Sequence, residues 1–287
     1  MKQASATVIL ALASASLATP ALAGAFFFST GDPDGKIATA SRPDSAGKFE
    51  IESADDFALA SSTSITGASF TGLLSGGART IDIGEVRVEI YRIFPKDSDT
   101  ARTPNVPTRV NSPSDVELAD RDTASGNLNF TASDLGAFSV ANSVQPGGIQ
   151  PKPNNVTKGN GPLSGEEVQF DVTFATPFSL PADHYFFVPQ VEITEPGGDF
   201  FWLSAPKPIL APGTPFPPGI TDLQTWTRDE SLDPDWLRVG TDIIGGDIPP
   251  TFNAAFSLTG TVPEPASLSL FGFALAGLGI SRLCRRR

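Results

Sequence analysis

The chain has 287 residues, with 20 Lys and Arg against 32 Asp and Glu and a formal net charge of −12, so nucleic acid and anionic membrane surfaces are poor partners. Its single cysteine is Cys284 and its single histidine His184, which excludes disulfides, cysteine-type zinc sites, multi-histidine metal sites and paired-histidine catalysis within one chain. Stability must come from core packing, and 21 Phe residues supply the apolar volume.

At the N-terminus, Lys2 precedes an apolar stretch over residues 4–17, followed by Ala21-Leu22-Ala23. This three-part order predicts a cleavable secretory signal over residues 1–23, with Ala21 and Ala23 as the small residues of the cleavage site and Gly24 as the first mature residue. The secretion translocon is then the first partner. Setting aside Lys2, Glu264 and the four arginines near the C-terminus leaves 15 basic and 31 acidic residues over 24–261, a net charge of −16. Such a surface keeps an exported body soluble and raises the local cation concentration. Weak Ca²⁺ association therefore needs no dedicated site, and no cofactor is assigned. Asp32-Pro33-Asp34-Gly35 looks like half of a calcium loop but lacks the third ligand and the distant Glu, and reads as a turn.

Along this body the apolar pattern has period two. Strands are predicted over residues 49–57, 65–73, 85–90, 168–174, 185–193, 200–203, 236–239 and 252–258, separated by Gly, Pro, Asn and Asp clusters. In 85–90, Val86, Val88 and Ile90 share one face while Glu85, Arg87 and Glu89 take the other. The cleanest alternation puts Val168, Phe170, Val172 and Phe174 inward. Three stretches exceed short hairpin loops: 95–125, 143–165 and 204–219, the last with six prolines. The fold class that follows is all-β, an antiparallel β-sandwich of jelly-roll type over residues 24–261.

Two short patterns, Ala54-Asp55-Asp56-Phe57 and the segment from Pro177 through Asp183, His184 and Tyr185, resemble recurring patterns of secreted bacterial β-sandwich ectodomains. The resemblance implies a surface role and brings no catalytic residue. Three constellations bear on chemistry. Asp229, Glu230, Asp233 and Asp235 lie near Trp226 and Trp236, and carboxylates beside flat aromatic rings are the usual ingredients of a carbohydrate site. Trp226, Asp229, Asp233 and Trp236 are its candidate residues, against the alternative of two core tryptophans flanking an acidic turn. His184 could act as a base, yet no Gly-x-Ser-x-Gly elbow accompanies it. Paired carboxylates of a glycan-active enzyme would stand about 5 to 10 Å apart, and nothing in the sequence selects such a pair.

The end of the chain reads Val262-Pro263-Glu264-Pro265, an apolar run over residues 266–281, then Arg282, Arg285, Arg286 and Arg287. The 16-residue run spans about 24 Å as a helix at ~1.5 Å per residue. That is a marginal transmembrane helix against a hydrocarbon core of roughly 30 Å. The arginines stop it on the cytoplasmic side, leaving the body in the periplasm. Together these features resemble the PEP-CTERM sorting signal of Gram-negative bacteria that make exopolysaccharide. The resemblance implies processing by a membrane-embedded exosortase, with Val262, Pro263, Glu264 and Pro265 as substrate residues and no catalytic role in this chain. It also implies delivery from the inner membrane to the cell surface or extracellular matrix. Since the same tail occurs on proteins of unrelated activity, the body's role stays open between two classes. The first is a non-enzymatic surface or matrix protein that binds exopolysaccharide. The alternative is a secreted carbohydrate-active enzyme.

Overall fold

The computed structural model describes residues 24–263, apart from 46, 150–154, 212 and 214–215. The secretory signal (Ala21 and Ala23 included), Glu264, Pro265, the apolar run 266–281 and the arginines at 282, 285, 286 and 287 lie outside the described residues. Among the described residues no helix is long and apolar enough to cross a membrane.

Strands take 49% of the chain and helical turns 5%, so the protein is all-β. In chain order the strands are β1 (Gly24–Ser29), β2 (Ile37–Ala40), β3 (Ile51–Ala58), β4 (Thr63–Leu74), β5 (Ile83–Arg92), β6 (Ala119–Asp122), β7 (Leu128–Val140) and β8 (Asn142–Val144). There follow β9 (Leu163–Leu180), β10 (His184–Ile193), β11 (Phe200–Ala205), β12 (Trp226–Asp229), β13 (Leu237–Arg238), β14 (Asn253–Ala254) and β15 (Phe256–Val262). They form two sheets. The six-stranded sheet has the order β13-β12-β3-β10-β5-β6. The nine-stranded sheet runs β1-β15-β4-β11-β2-β8, with β9 also on β4, β7 on β9 and β14 on β11.

β4 organises the larger sheet. One of its edges pairs with β9 from Thr63↔Leu180 to Leu74↔Glu166. The other is shared by β15, which takes Ser64 to Phe70, and β11, which takes Gly72 to Leu74. Gly72 is required at this junction, because a Cβ there would lie 2.0 Å from the Phe200 ring. The inward faces meet in an aromatic core. Phe70 stacks on Phe170 at 4.8 Å, and the Phe200 ring stands edge-on to Phe170 at 5.5 Å. From the smaller sheet, Phe187 stacks on Phe256 at 5.0 Å and meets Trp202 at 6.0 Å. Aromatic pairs of this geometry add to the area burial that drives the two sheets together.

Strand 252–258, expected as one piece, is split at Ala255. Its N–H donates to Leu203 O at 2.8 Å and its carbonyl accepts Trp202 Nε1–H at 2.9 Å, so the chain leaves β11 there and joins β4. The outer face of the six-stranded sheet also departs from expectation. Glu89 is expected to face solvent across β5 from Val88, yet it is only 3% exposed. The reason is non-local. The long stretch after β5, expected as a surface loop, lies over this face and is fastened to the segment between β12 and β13. Arg102 donates to both carboxylate oxygens of Asp235 at 2.9 and 2.7 Å, and Asn105 N–H donates to Asp235 at 2.6 Å. Beneath this cover an apolar cluster distinct from the aromatic core forms from Ala54, Tyr91, Phe186, Val188, Trp226 and Trp236.

Candidate functional site

The tryptophan and acidic segment sits at the centre of that covered face. Trp226 opens β12 opposite Ala54 and Arg238, and Trp236 immediately precedes β13. Each is 1% exposed, so neither indole offers an open face for sugar stacking. Of the two readings open in the sequence, the burial agrees with two core tryptophans flanking an acidic turn: the covering segment turns both rings into core. Trp236 Nε1–H donates to Ser114 O at 3.3 Å, and the Arg228 guanidinium lies 4.4 Å from the Trp236 ring centroid.

The carboxylates are likewise committed within the protein. Asp229 Oδ1 accepts Ser231 N–H, Ser231 Oγ–H and Leu232 N–H at 3.0, 2.6 and 3.1 Å, which closes the turn after β12. Asp233 pairs with Arg228 Nη1 at 2.8 Å while remaining exposed. Burial raises the Asp235 carboxyl, but Arg102, Asn105 N–H and Arg109 together outweigh it and hold the group below the usual range.

Next to this segment lies a carboxyl cluster that local sequence reasoning missed. Arg228 pairs with Glu52, directly opposite it across β12 and β3. Tyr91 Oη–H points to Glu52 Oε1 at 2.7 Å and lies 3.3 Å from Glu89 Oε2. Burial first, and then the Glu52 charge, push the Glu89 carboxyl well above the usual range. Glu50 and Glu117, at the rim, are raised mainly by burial. Glu52 and Glu89 meet the same Tyr91 hydroxyl and are almost wholly buried. A glycosidase pair instead flanks a substrate cleft at about 5 to 10 Å. The period-two pattern marked Glu89 only as a polar residue on the solvent side of a strand, and no local signal announced its cover.

His184 begins β10, and its Nε2 lies 2.6 Å from Asp56 Oδ2, with the Phe216 ring edge-on at 5.9 Å. Asp56 also accepts Leu223 N–H at 2.9 Å, so the pair fastens a loop to the sheet edge. Asp34 accepts Lys36 N–H and Ser204 Oγ–H and pairs with Lys36, consistent with a turn. Among the described residues no group of three or more His, Cys, Asp and Glu side chains is arranged to hold a metal ion.

One opening reaches the covered face: a pocket of about 230 Å³ lined by Asn111, Lys207, Asp222, Gln224, Trp226 and Arg238, among others. Lys207 Nζ binds Asp222 Oδ1 at 3.0 Å, and Arg238 Nη2 binds Asp242 at 2.7 Å. Each cation in the wall therefore has its own carboxylate. Trp226 Nε1–H is buried and meets no acceptor in the protein.

At the C-terminal edge β15 ends at Val262, and Pro263 is exposed. Residues 261–287 match the family model of the PEP-CTERM protein-sorting motif. The chain carries a PEP-CTERM sorting signal. A PEP-CTERM signal means export and sorting by an exosortase, with a membrane-anchored state before processing. Gly24, Ala21 and Ala23 receive no further support as a cleavage site from this match. No curated protein and no solved structure gives a significant match to the chain.

Proposed function

We propose that residues 24–261 form a non-catalytic cell-surface or matrix component of jelly-roll type that associates with exopolysaccharide once an exosortase has processed the tail. The position of the PEP-CTERM motif carries this reading. It starts as β15 ends, so processing there would release the sandwich with its last strand intact. Connectivity supports the jelly-roll assignment, since the chain changes sheets between β2 and β3, β3 and β4, β4 and β5, β6 and β7, β9 and β10, β10 and β11, β11 and β12, and β13 and β14. Burial of Glu52 and Glu89, and their commitment to the Tyr91 hydroxyl, favour binding over hydrolysis.

The test is expression in Gram-negative hosts with and without an exosortase. Without it, the body stays attached to the inner membrane, and protease added to spheroplasts digests it; full protection contradicts the topology. With the cognate enzyme, replacing Pro263, Glu264 and Pro265 by Ala blocks maturation, and normal maturation contradicts the sorting role. Neutralising Arg282, Arg285, Arg286 and Arg287 together weakens membrane retention, because a marginal span loses its cationic stop. Retention of the released body in affinity electrophoresis through the host's exopolysaccharide tests the binding claim, and unretarded migration refutes it.

A further inference from the structure

We propose that the side chains of Lys207 and Asn253 become joined by an isopeptide bond, formed autocatalytically with loss of ammonia, and that Asp222 carries the protons. The fold brings the three together from separate segments. β11 pairs with β14 so that Ala205 lies opposite Asn253, and Lys207 follows just beyond Ala205. Lys207 Nζ–H donates to Asn253 Oδ1 at 3.3 Å, and Nζ pairs with Asp222 Oδ1 at 3.0 Å. Asn253 Nδ2–H donates to Pro206 O and to Asp222 Oδ2, each at 3.4 Å, which turns the carbonyl edge of the amide toward the lysine. Asn253 is fully buried, and the Lys207 and Asp222 side chains are largely so.

These contacts set out a nucleophile, an electrophile and a proton carrier. Contact between Nζ and Oδ1 puts the amine beside Cγ, the carbon bonded to that oxygen, so the reaction needs no bimolecular encounter. Nζ also donates to Asp222 O at 3.0 Å and to Leu223 O, which keeps the amine from swinging away. Asp222 meets the nucleophile with one carboxylate oxygen and the leaving nitrogen with the other, and its Oδ1 is within the ~2.6 to 3.2 Å reach of a general base. It first takes a proton from the Lys207 ammonium, and the freed amine forms the Nζ–Cγ bond. A second proton passes from Nζ to Nδ2 across the same carboxyl, the Cγ–Nδ2 bond breaks, and the ammonia takes up the first proton as it leaves. Lysine and asparagine thus give one amide and one ammonium ion, with no oxidant, reductant or cofactor. Burial of Asn253 keeps water from Cγ, and the pocket walled by Lys207 and Asp222 gives the ammonium an exit. The bond closes residues 207–253 into a ring that contains β12 and β13. Like a disulfide, it constrains the unfolded chain, in a body that has no cysteine between Gly24 and Thr261.

The experiment is mass spectrometry of the full chain, purified from a host without an exosortase and incubated in mildly alkaline buffer before denaturation and digestion. Trypsin cuts after Arg228 and Arg238, so the peptides carrying Lys207 and Asn253 separate unless the amide joins them. The parent should yield one branched peptide, lighter by one ammonia than its two parts together. Lys207→Arg should yield two separate peptides of full mass, and in Asp222→Asn the branched product should form about a hundredfold more slowly. Separate peptides of full mass from the parent overturn the inference, and that result requires no variant to fold. So does loss of ammonia without branching, which marks a backbone succinimide at Asn253, and so does branching that persists in Lys207→Arg. Branching at the parent rate in Asp222→Asn overturns the proton route.

Discussion

Asp55 Oδ2, in the six-stranded sheet, accepts the backbone N–H of Ala254, in the nine-stranded sheet, at 2.8 Å. Its other oxygen accepts Thr225 Oγ–H at 3.3 Å. One carboxyl therefore ties both layers to the loop that leads into β12. It is fully buried, and burial, followed by the charge of Asp56, raises its pKa well above the usual range, while Lys207 opposes the rise. Asp55 is thus a polar latch between the sheets, as is Ser53, whose Oγ–H donates to Ala40 O at 2.8 Å.

Removing the latch should be expensive. Asp55→Ala leaves Ala254 N–H buried without an acceptor, at about 1 to 3 kcal/mol, while Asp55→Asn keeps one carbonyl acceptor and should cost less. Urea denaturation of the two variants checks the order, and equal stability would show that the latch carries no load.

Stability should fall as the pH rises from 5 to 7. Glu50, Asp55, Asp56, Glu89 and Glu117 all have raised folded pKa values. Each contributes stability that is complete below its unfolded pKa and is lost as the pH climbs through the folded one. Asp183 and Asp235 are lowered, and their contributions are lost only in stronger acid. Glu89→Gln mimics the protonated carboxyl. It should flatten the pH profile and gain on the order of 1 kcal/mol at pH 7. Melting curves from pH 5 to 7 measure this, and an unchanged slope counts against Glu89.

At the aromatic core, Phe170→Ala should cost about 3 to 5 kcal/mol, and Phe170→Asp more, since a charge would enter a fully buried site. Gly72→Val should also be severe, because the Phe200 ring already fills the space of its side chain. Circular dichroism should show a β-dominated parent. A Gly72→Val protein that melts with it would mean that β11 moves freely on β4.

The three tryptophans, Trp202, Trp226 and Trp236, are each no more than 2% exposed. Native emission should be at short wavelength and insensitive to iodide, with quenching restored in urea. Strong native quenching would show that the cover over the six-stranded sheet opens in solution.

The body's β character was legible where one face of a strand meets solvent. Val168, Phe170, Val172 and Phe174 alternate cleanly in β9 because Asp171 and Thr173 between them are exposed. β7 was not legible: its outer positions are small or polar residues such as Asn129, Ser133 and Ala137 at the open side of β9, and its pattern resembles a loop. Trp226 and Trp236 share one buried cluster, and Asp229 and Asp233 lie in the segment between them. Their surroundings were hidden, since a segment more than a hundred residues earlier supplies Ser114 and Arg102 to cover them. The sorting motif was readable because an enzyme recognises it as a linear string, with no fold needed to assemble it.

The tail continues from β15, whose neighbours are β1 and β4. Tension directed along the axis of that strand would enter the sandwich there. The paired residues from Phe256↔Phe70 to Thr261↔Ser64 would then be loaded together in shear, and their hydrogen bonds, perpendicular to the strands in an antiparallel ladder, would have to yield as a group. Force along β15 would therefore meet the whole of its ladder with β4 at once.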